Sequence, residues 1–325
     1  MRKTHSLLKK FLPFIAVGFC LIFVLGTISF SSEYNEKTYS LAYPSFFVCL
    51  LLFFMAATLG ICIYVSASAK NVGISRIRKS SGYMRFASAF AAGIFAVGFF
   101  CEIAELAAAP SSFGGLRLIK TVLNLPVCAY FVISMLPKEI NRERVVIPWG
   151  ARVVLSVCTI LWGIAGIFYV YFLKWLYTSE PSRIFEVLIY VLIAVFFLFE
   201  AEFELVYPKF RAYIFSALAL CIPVCAFSLP MLFIPYKRLA IMEYFYAIAL
   251  AIYAFCRIVS LVSTMRFVIE LDEEKEIGSI LSYTFTAMAK SADSGASPHE
   301  AQDNASAELS GKENNTGEHK SDDEN

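Results

Sequence analysis

Six polar residues stand inside otherwise apolar segments of this 325-residue chain, and they are the residues whose types could support chemistry. They are Glu102, Glu105, Lys120, Asn124, Glu200 and Arg257. Charged side chains at membrane depth are costly, and they usually pair with one another or mark the pathway of an ion or a solute. The six residues are therefore candidates for an intramembrane polar site or for structural ion pairs.

Four of these residues belong to two neighbouring apolar runs. Glu102 and Glu105 are three residues apart, so they share one helix face, and Lys120 and Asn124 are four residues apart on the next run. Because an antiparallel hairpin would join the two runs, we expect Glu105 near Lys120 and Glu102 near Asn124. Both a structural ion pair and a polar pocket open to one side of the membrane fit this spacing.

Glu200 and Arg257 are matched in depth. Glu200 lies six residues before the end of its run at Val206, and Arg257 eight residues before the end of the last run at Met265. These separations correspond to about 9 and 12 Å along a helix. We expect an ion pair that either fixes helix packing or contributes to a transport site. Four other charged residues lie near run ends and are expected to reach the membrane interface instead: Arg183, Glu186, Glu204 and Glu243.

Residues typical of enzymes are missing from the apolar runs. The three histidines, His5, His299 and His319, lie near the termini, and no zinc-protease, nucleophile-elbow or P-loop pattern occurs. The nine cysteines lie in the apolar runs and are interpreted as small hydrophobic residues, with a soft-metal site at Cys221 and Cys225 as the weaker alternative. We therefore expect no catalytic activity, cofactor, metal or nucleic-acid partner.

The elements that must position the six polar residues are long apolar runs. Hydrophobic residues make up 58% of the chain and charged residues 17%, whereas soluble domains have about 45–50% and about 25%. Runs of about 20 apolar residues cross a bilayer as helices, and these runs lack the alternation of barrel strands. The sequence predicts an all-α polytopic membrane protein with about eight transmembrane helices, over residues 11–30, 45–65, 86–108, 118–136, 153–173, 184–206, 213–234 and 240–265.

Lysine and arginine residues predict the orientation. If the N-terminus is cytoplasmic, fifteen of them fall on the cytoplasmic side and seven on the other side, so both termini are predicted to be cytoplasmic, in a plasma or inner membrane. The protein's partner is then the lipid bilayer. A basic segment is expected to attract anionic lipid headgroups, through Lys70, Arg76, Arg78, Lys79 and Arg85.

Charge also divides the chain. The net charge of +2 combines about +11 over residues 1–265 with about −9 over the remainder. We predict an eight-helix transmembrane domain over residues 1–265, a juxtamembrane amphipathic segment over 266–290 and a disordered acidic tail over 291–325.

Two further features suggest transport. Pro223 and Pro230 interrupt the seventh run, and broken helices often line transporter sites. The residues before Glu102 resemble those before Glu200 at an offset of 98, as in an inverted repeat. We predict a small-solute or ion transporter. The alternative is a non-transporting membrane sensor or scaffold whose cytoplasmic tail binds a partner.

Overall fold

The computed structural model describes residues 2–32, 34–35, 40–41, 45–69, 82–108, 114–135, 149–173, 181–205, 209–233 and 241–294, and almost all of them are helical. The longer helices are α1 Arg2–Ser32, α2 Phe46–Ser68, α3 Gly82–Ala108, α4 Gly115–Met135, α5 Trp149–Leu173, α6 Pro181–Glu204, α7 Phe210–Pro223 and α9 Ile241–Ser294. A π-helical turn, Val224–Ser228, joins α7 to the short helix α8, Leu229–Met231. Two strands, β1 Tyr34–Asn35 and β2 Ser40–Leu41, pair antiparallel.

Eight helical segments are long and apolar enough to cross a membrane, and each coincides with one predicted run. They are α1 to α6, the α7–α8 segment and the first part of α9. Helices satisfy every interior backbone hydrogen bond within the segment, which hydrocarbon surroundings demand. The prediction of eight helices long and apolar enough to cross a membrane is confirmed over the described residues, whereas the side that each terminus faces stays a prediction.

The α7–α8 segment and the spanning part of α9, Ile241–Arg266, form the centre of the bundle. In these two spans 78% and 67% of the most apolar stretch is buried within the protein, against 22–44% in the other six. The outer helices direct large apolar side chains away from the protein, as Phe14, Phe53 and Phe100 show. A polar side chain on the buried face of this part of α9 is therefore surrounded by protein.

The predicted interruption of the seventh run is present. Proline has no N–H group, so Pro223 and Pro230 each leave a backbone carbonyl without its usual partner. Between them the Leu229 N–H bonds to the Val224 carbonyl, five residues earlier, which is the π-helical spacing. Such turns inside α-helices are frequent at functional sites. Gly26 allows α1 to lie close to this π-helical turn, since a Cβ at position 26 would be 2.5 Å from the Ala226 backbone oxygen.

The chain divides into two compact units, Met1–Met265 and Arg266–Asn325. The predicted juxtamembrane segment 266–290 is helical throughout, and α9 continues to Ser294, past the predicted start of the tail at residue 291. The amphipathic character of that segment stays a prediction. Residues 295–325, predicted to be disordered, lie outside the described residues, as do Lys70, Arg76, Arg78 and Lys79 of the basic segment.

Candidate intramembrane ion site

Two buried polar clusters lie inside the first unit. The Lys120 cluster consists of Glu102, Lys120, Thr121, Asn124, Trp162, Tyr190, Glu243 and Tyr246. The Glu200 cluster consists of Tyr130, Glu200, Tyr213, Tyr253 and Arg257. Ten residues separate Lys120 from Tyr130 on α4, and ten separate Tyr190 from Glu200 on α6. The clusters are therefore about 15 Å apart along the helix axes.

In the Lys120 cluster, the Glu102 carboxylate accepts hydrogen bonds from three neutral groups. Its Oε2 accepts hydrogen bonds from the Thr121 hydroxyl at 2.5 Å and from Asn124 Nδ2 at 3.1 Å, and its Oε1 accepts one from the Tyr246 hydroxyl at 3.1 Å. The side chain is buried. The expected proximity of Glu102 and Asn124 is confirmed.

Trp162 on α5 fixes the orientation of Asn124. Its indole N–H donates to Asn124 Oδ1 at 2.7 Å, so the amide NH₂ group must point the other way. That group donates to Glu102 and, at 3.0 Å, to the Tyr246 oxygen. Our sequence reasoning missed Trp162, although a buried tryptophan N–H usually needs an acceptor and could have indicated it.

Lys120 on α4 pairs with Glu243 on α9, contrary to expectation. Its Nζ also donates to the Tyr190 hydroxyl at 2.8 Å, and that hydroxyl donates to Glu243. Glu105 instead pairs with Arg117 near the ends of α3 and α4, where it is 59% exposed. The reason is depth: Lys120 lies about one turn further into the bundle than Arg117.

The interfacial position expected for Glu243 stays a prediction. The structure places the Glu243 carboxylate against Lys120 of α4 and Tyr190 of α6. Glu186, also expected at the interface, is buried. The side chains of Arg183 and Glu204 lie outside the described residues.

Aromatic rings enclose the Lys120 ammonium group. Its Nζ lies 5.0–5.7 Å from four ring centroids, those of Trp162, Tyr169, Tyr190 and Tyr246. Cations are attracted to the faces of such rings, most strongly where water is excluded. The cluster therefore stabilises positive charge both through its carboxylates and through its rings.

A small cavity adjoins the Lys120 cluster. It has a volume of about 10 Å³, and its lining includes Glu186, Tyr190, Ser228 and Glu243. Roughly 10–15 Å³ is the room that one water molecule needs. Ser228 belongs to the π-helical turn, so the irregular part of the seventh span borders the charged site.

Two glycines make room for the tyrosines of this cluster. A side chain at Gly98 would collide with the Tyr246 hydroxyl, and one at Gly166 with the Tyr190 ring. Without Gly98, Tyr246 could not pass α3 to reach Glu102. Neither glycine was singled out from the sequence.

Gly98→Ala is expected to lower the free energy of unfolding by about 1–3 kcal/mol, because the added methyl group overpacks a filled site. It should also displace the Tyr246 hydroxyl from Glu102. The matched control is Gly93→Ala on the same helix, where a Cβ would meet nothing within 4 Å. Denaturation in lipid–detergent micelles measures both changes, and equal stabilities for the two variants would contradict this packing.

The Glu200 cluster is a charge-balanced ion pair. Arg257 contacts both oxygens of Glu200, through Nη2 and, at 3.1 Å, through Nε, so the expected pairing is confirmed. The Tyr213 and Tyr130 hydroxyls donate to the same carboxylate at 2.8 and 3.2 Å. Among the described residues Nη1 of Arg257 has no hydrogen-bond partner. The bidentate pair connects α6 with α9, and the two tyrosines add α4 and α7. These connections suit a structural role.

A layer of aromatic rings separates the two clusters. Tyr246 stacks on Phe95 with centroids 4.7 Å apart, Phe95 contacts Phe131 at 5.8 Å, and Phe131 contacts Tyr253 at 4.9 Å. All four side chains are buried. Phe95 and Phe131 therefore lie between Tyr246 of the Lys120 cluster and Tyr253 of the Glu200 cluster.

Metal-binding groups do not assemble in the part of the chain that the structure describes, where no set of three or more Asp, Glu, Cys or His side chains could hold a metal ion. The nine cysteines are free thiols. Cys221 donates to the carbonyls of Ala217 and Ala251, at 3.4 and 3.7 Å, as a packed thiol does.

Eight apolar spans around two buried charged clusters define the class: this is a multi-pass membrane protein. Comparison with known proteins gives no match to a family model, to a curated protein or to a solved structure. The activity must therefore be argued from the geometry of the two clusters.

Proposed function

We propose that this membrane protein transports a small ion or solute and that the Lys120 cluster is its binding site. The observation that carries the proposal is the charge of this cluster. Among the described residues the cluster contains two carboxylates, those of Glu102 and Glu243, and one ammonium group, that of Lys120. Lys120 pairs with Glu243, and the hydrogen bonds that Glu102 accepts come from neutral donors. A site with a surplus buried carboxylate suits reversible binding of positive charge better than a balanced pair does.

The position of the Lys120 cluster supports access from one membrane surface. Glu102 lies six residues before the end of α3, Lys120 five residues after the start of α4 and Glu243 two residues after the start of α9. These separations place the three residues about 9, 8 and 3 Å along the helix axis from the respective helix ends. The aromatic layer lies on the other side of the cluster, so transport would require that layer to open. The interrupted seventh span is the element best suited to move.

We further propose that both termini face the cytoplasm of a plasma or inner membrane, because lysine and arginine residues favour that side by fifteen to seven. The Lys120 cluster then lies in the outer half of the bilayer. In this orientation the basic segment from Lys70 to Arg85 faces anionic lipid headgroups. The proposal includes no catalytic reaction.

Reconstitution into lipid vesicles tests the proposed transport. Vesicles containing the protein should carry protons, alkali cations or chloride faster than protein-free vesicles, measured with a trapped pH-sensitive dye and with tracer ions. Heat-denatured protein at the same density is the control for leakage. Equal fluxes with native protein, denatured protein and no protein, for every ion tested, would contradict transport of these ions.

A second candidate function is a sensor or scaffold, and the packed aromatic layer favours it. Buried rings contact one another from Tyr246 to Tyr253, which suits a bundle that does not open. Deleting residues 291–325 separates the two functions. A transporter should keep its flux without them, whereas a scaffold should lose the partner that binds them.

A further inference from the structure

The Thr121 hydroxyl has one proton and two acceptors. It lies 2.5 Å from Glu102 Oε2 and 2.9 Å from the carbonyl oxygen of Arg117, one turn earlier on α4. It can donate to only one of them at a time. If it donates to the Arg117 carbonyl, its oxygen is left facing Glu102 as an acceptor, and a protonated carboxyl group can then donate to it.

Both protonation states of Glu102 are therefore satisfied by the same heavy-atom positions. When Glu102 is ionised, Thr121, Asn124 and Tyr246 all donate to it. When it is protonated on Oε2, it donates to Thr121, Thr121 donates to the Arg117 carbonyl, and Tyr246 still donates to Oε1. A buried polar group that loses its partner is destabilising, and here neither state leaves one without a partner.

Charged and titratable groups of α4, α5, α6 and α9 lie in or beside the cluster that contains Glu102. They are Lys120, Tyr169, Tyr190, Glu243, Tyr246 and, in the lining of the adjoining cavity, Glu186. Lys120 is the cationic group of this cluster, and Glu243 is its second carboxylate.

We propose that Glu102 is a reversible proton-binding site, with Thr121 as the hydroxyl that changes its hydrogen-bond partner, and that a proton is an ion this protein carries. The inference deepens the proposed function and rests on it. In the binding step a hydronium ion gives one proton to Glu102 Oε2 and leaves as water. One O–H bond breaks in hydronium, one forms on the carboxyl group, and no oxidation or reduction occurs.

Infrared difference spectroscopy of the protein in lipid tests the proton site. Acidification from mildly alkaline pH should produce a carboxylic-acid C=O band in the wild-type protein that is missing from Glu102→Gln. Glu105→Gln is the matched control, because that carboxylate is exposed and lies on the same helix, and it should keep the band. The proposal is overturned if Glu102→Gln keeps the whole band or if the wild-type band does not change with pH.

A second variant keeps the test decisive if Glu102→Gln does not fold. In Thr121→Val the protonated carboxyl group has lost its acceptor, so the band should remain but move to higher wavenumber. An unmoved band would contradict the role of Thr121. The vesicle experiment separates the two proposals: a pH-dependent Glu102 band without any flux refutes transport alone, and ion flux without the band refutes the proton site alone.

Discussion

Arg257→Ala is expected to lower the free energy of unfolding by about 3–5 kcal/mol, because it leaves the buried Glu200 carboxylate without its counter-charge. Both side chains are almost fully enclosed, at 2% and 0% exposure, and the two groups make a bidentate contact. The measurement is denaturant-induced unfolding in lipid–detergent micelles.

An exposed ion pair in the same protein provides the control. Lys209 bonds to Glu202 at 3.0 Å, but the lysine is 70% exposed, so Lys209→Ala should change the stability by only about 0–1 kcal/mol. Removing both Arg257 and Glu200 should cost less than the sum of the single changes, since neither charge is then left alone. If Arg257→Ala were no more destabilising than Lys209→Ala, the pair would not be a structural element.

Lys120→Met is expected to abolish ion flux and to lower the free energy of unfolding by about 3–5 kcal/mol. The substitution keeps much of the apolar stem and removes the ammonium group that pairs with Glu243 and faces four aromatic rings. Glu102 and Glu243 would then share a buried site without that positive charge. Flux in vesicles and unfolding in micelles measure the two effects.

Arg117→Met is the matched control for Lys120→Met. Arg117 lies three residues before Lys120 on the same helix, but its partner Glu105 is exposed. Ion flux should therefore persist in Arg117→Met, and the free energy of unfolding should change little. Adding Glu243→Gln to Lys120→Met should restore part of the lost stability, because one uncompensated carboxylate is removed. Equal effects of the two single substitutions would show that the position of Lys120 in the cluster has no special importance.

Much of the fold can be predicted from the sequence because span length and depth are properties of a single helix. About 20 apolar residues must cross the bilayer, so eight runs predicted eight spans. Depth along a helix follows from 1.5 Å per residue, which was enough to match Arg257 with Glu200. The contact between Glu102 and Asn124 could be predicted in the same way, because the two residues lie at similar depths on consecutive helices.

Lateral neighbours could not be predicted in this way. The pairing of Glu243 with Lys120 could not be predicted, because the sequence does not show which helices enclose the first part of α9. The tyrosines at 190 and 246 look like ordinary aromatic residues of an apolar run until helices distant in the chain pack together. Gly98 matters only through Tyr246, 148 positions later in the chain.

Proton flux by the Glu102→Gln protein in lipid vesicles tests the functional division between the two clusters most directly. We expect the wild-type protein to acidify the vesicle interior under a proton gradient and Glu102→Gln to lose that flux, while Glu105→Gln, reconstituted at the same density, retains it. Undiminished proton flux through Glu102→Gln would contradict the assignment of the Lys120 cluster as the transport site.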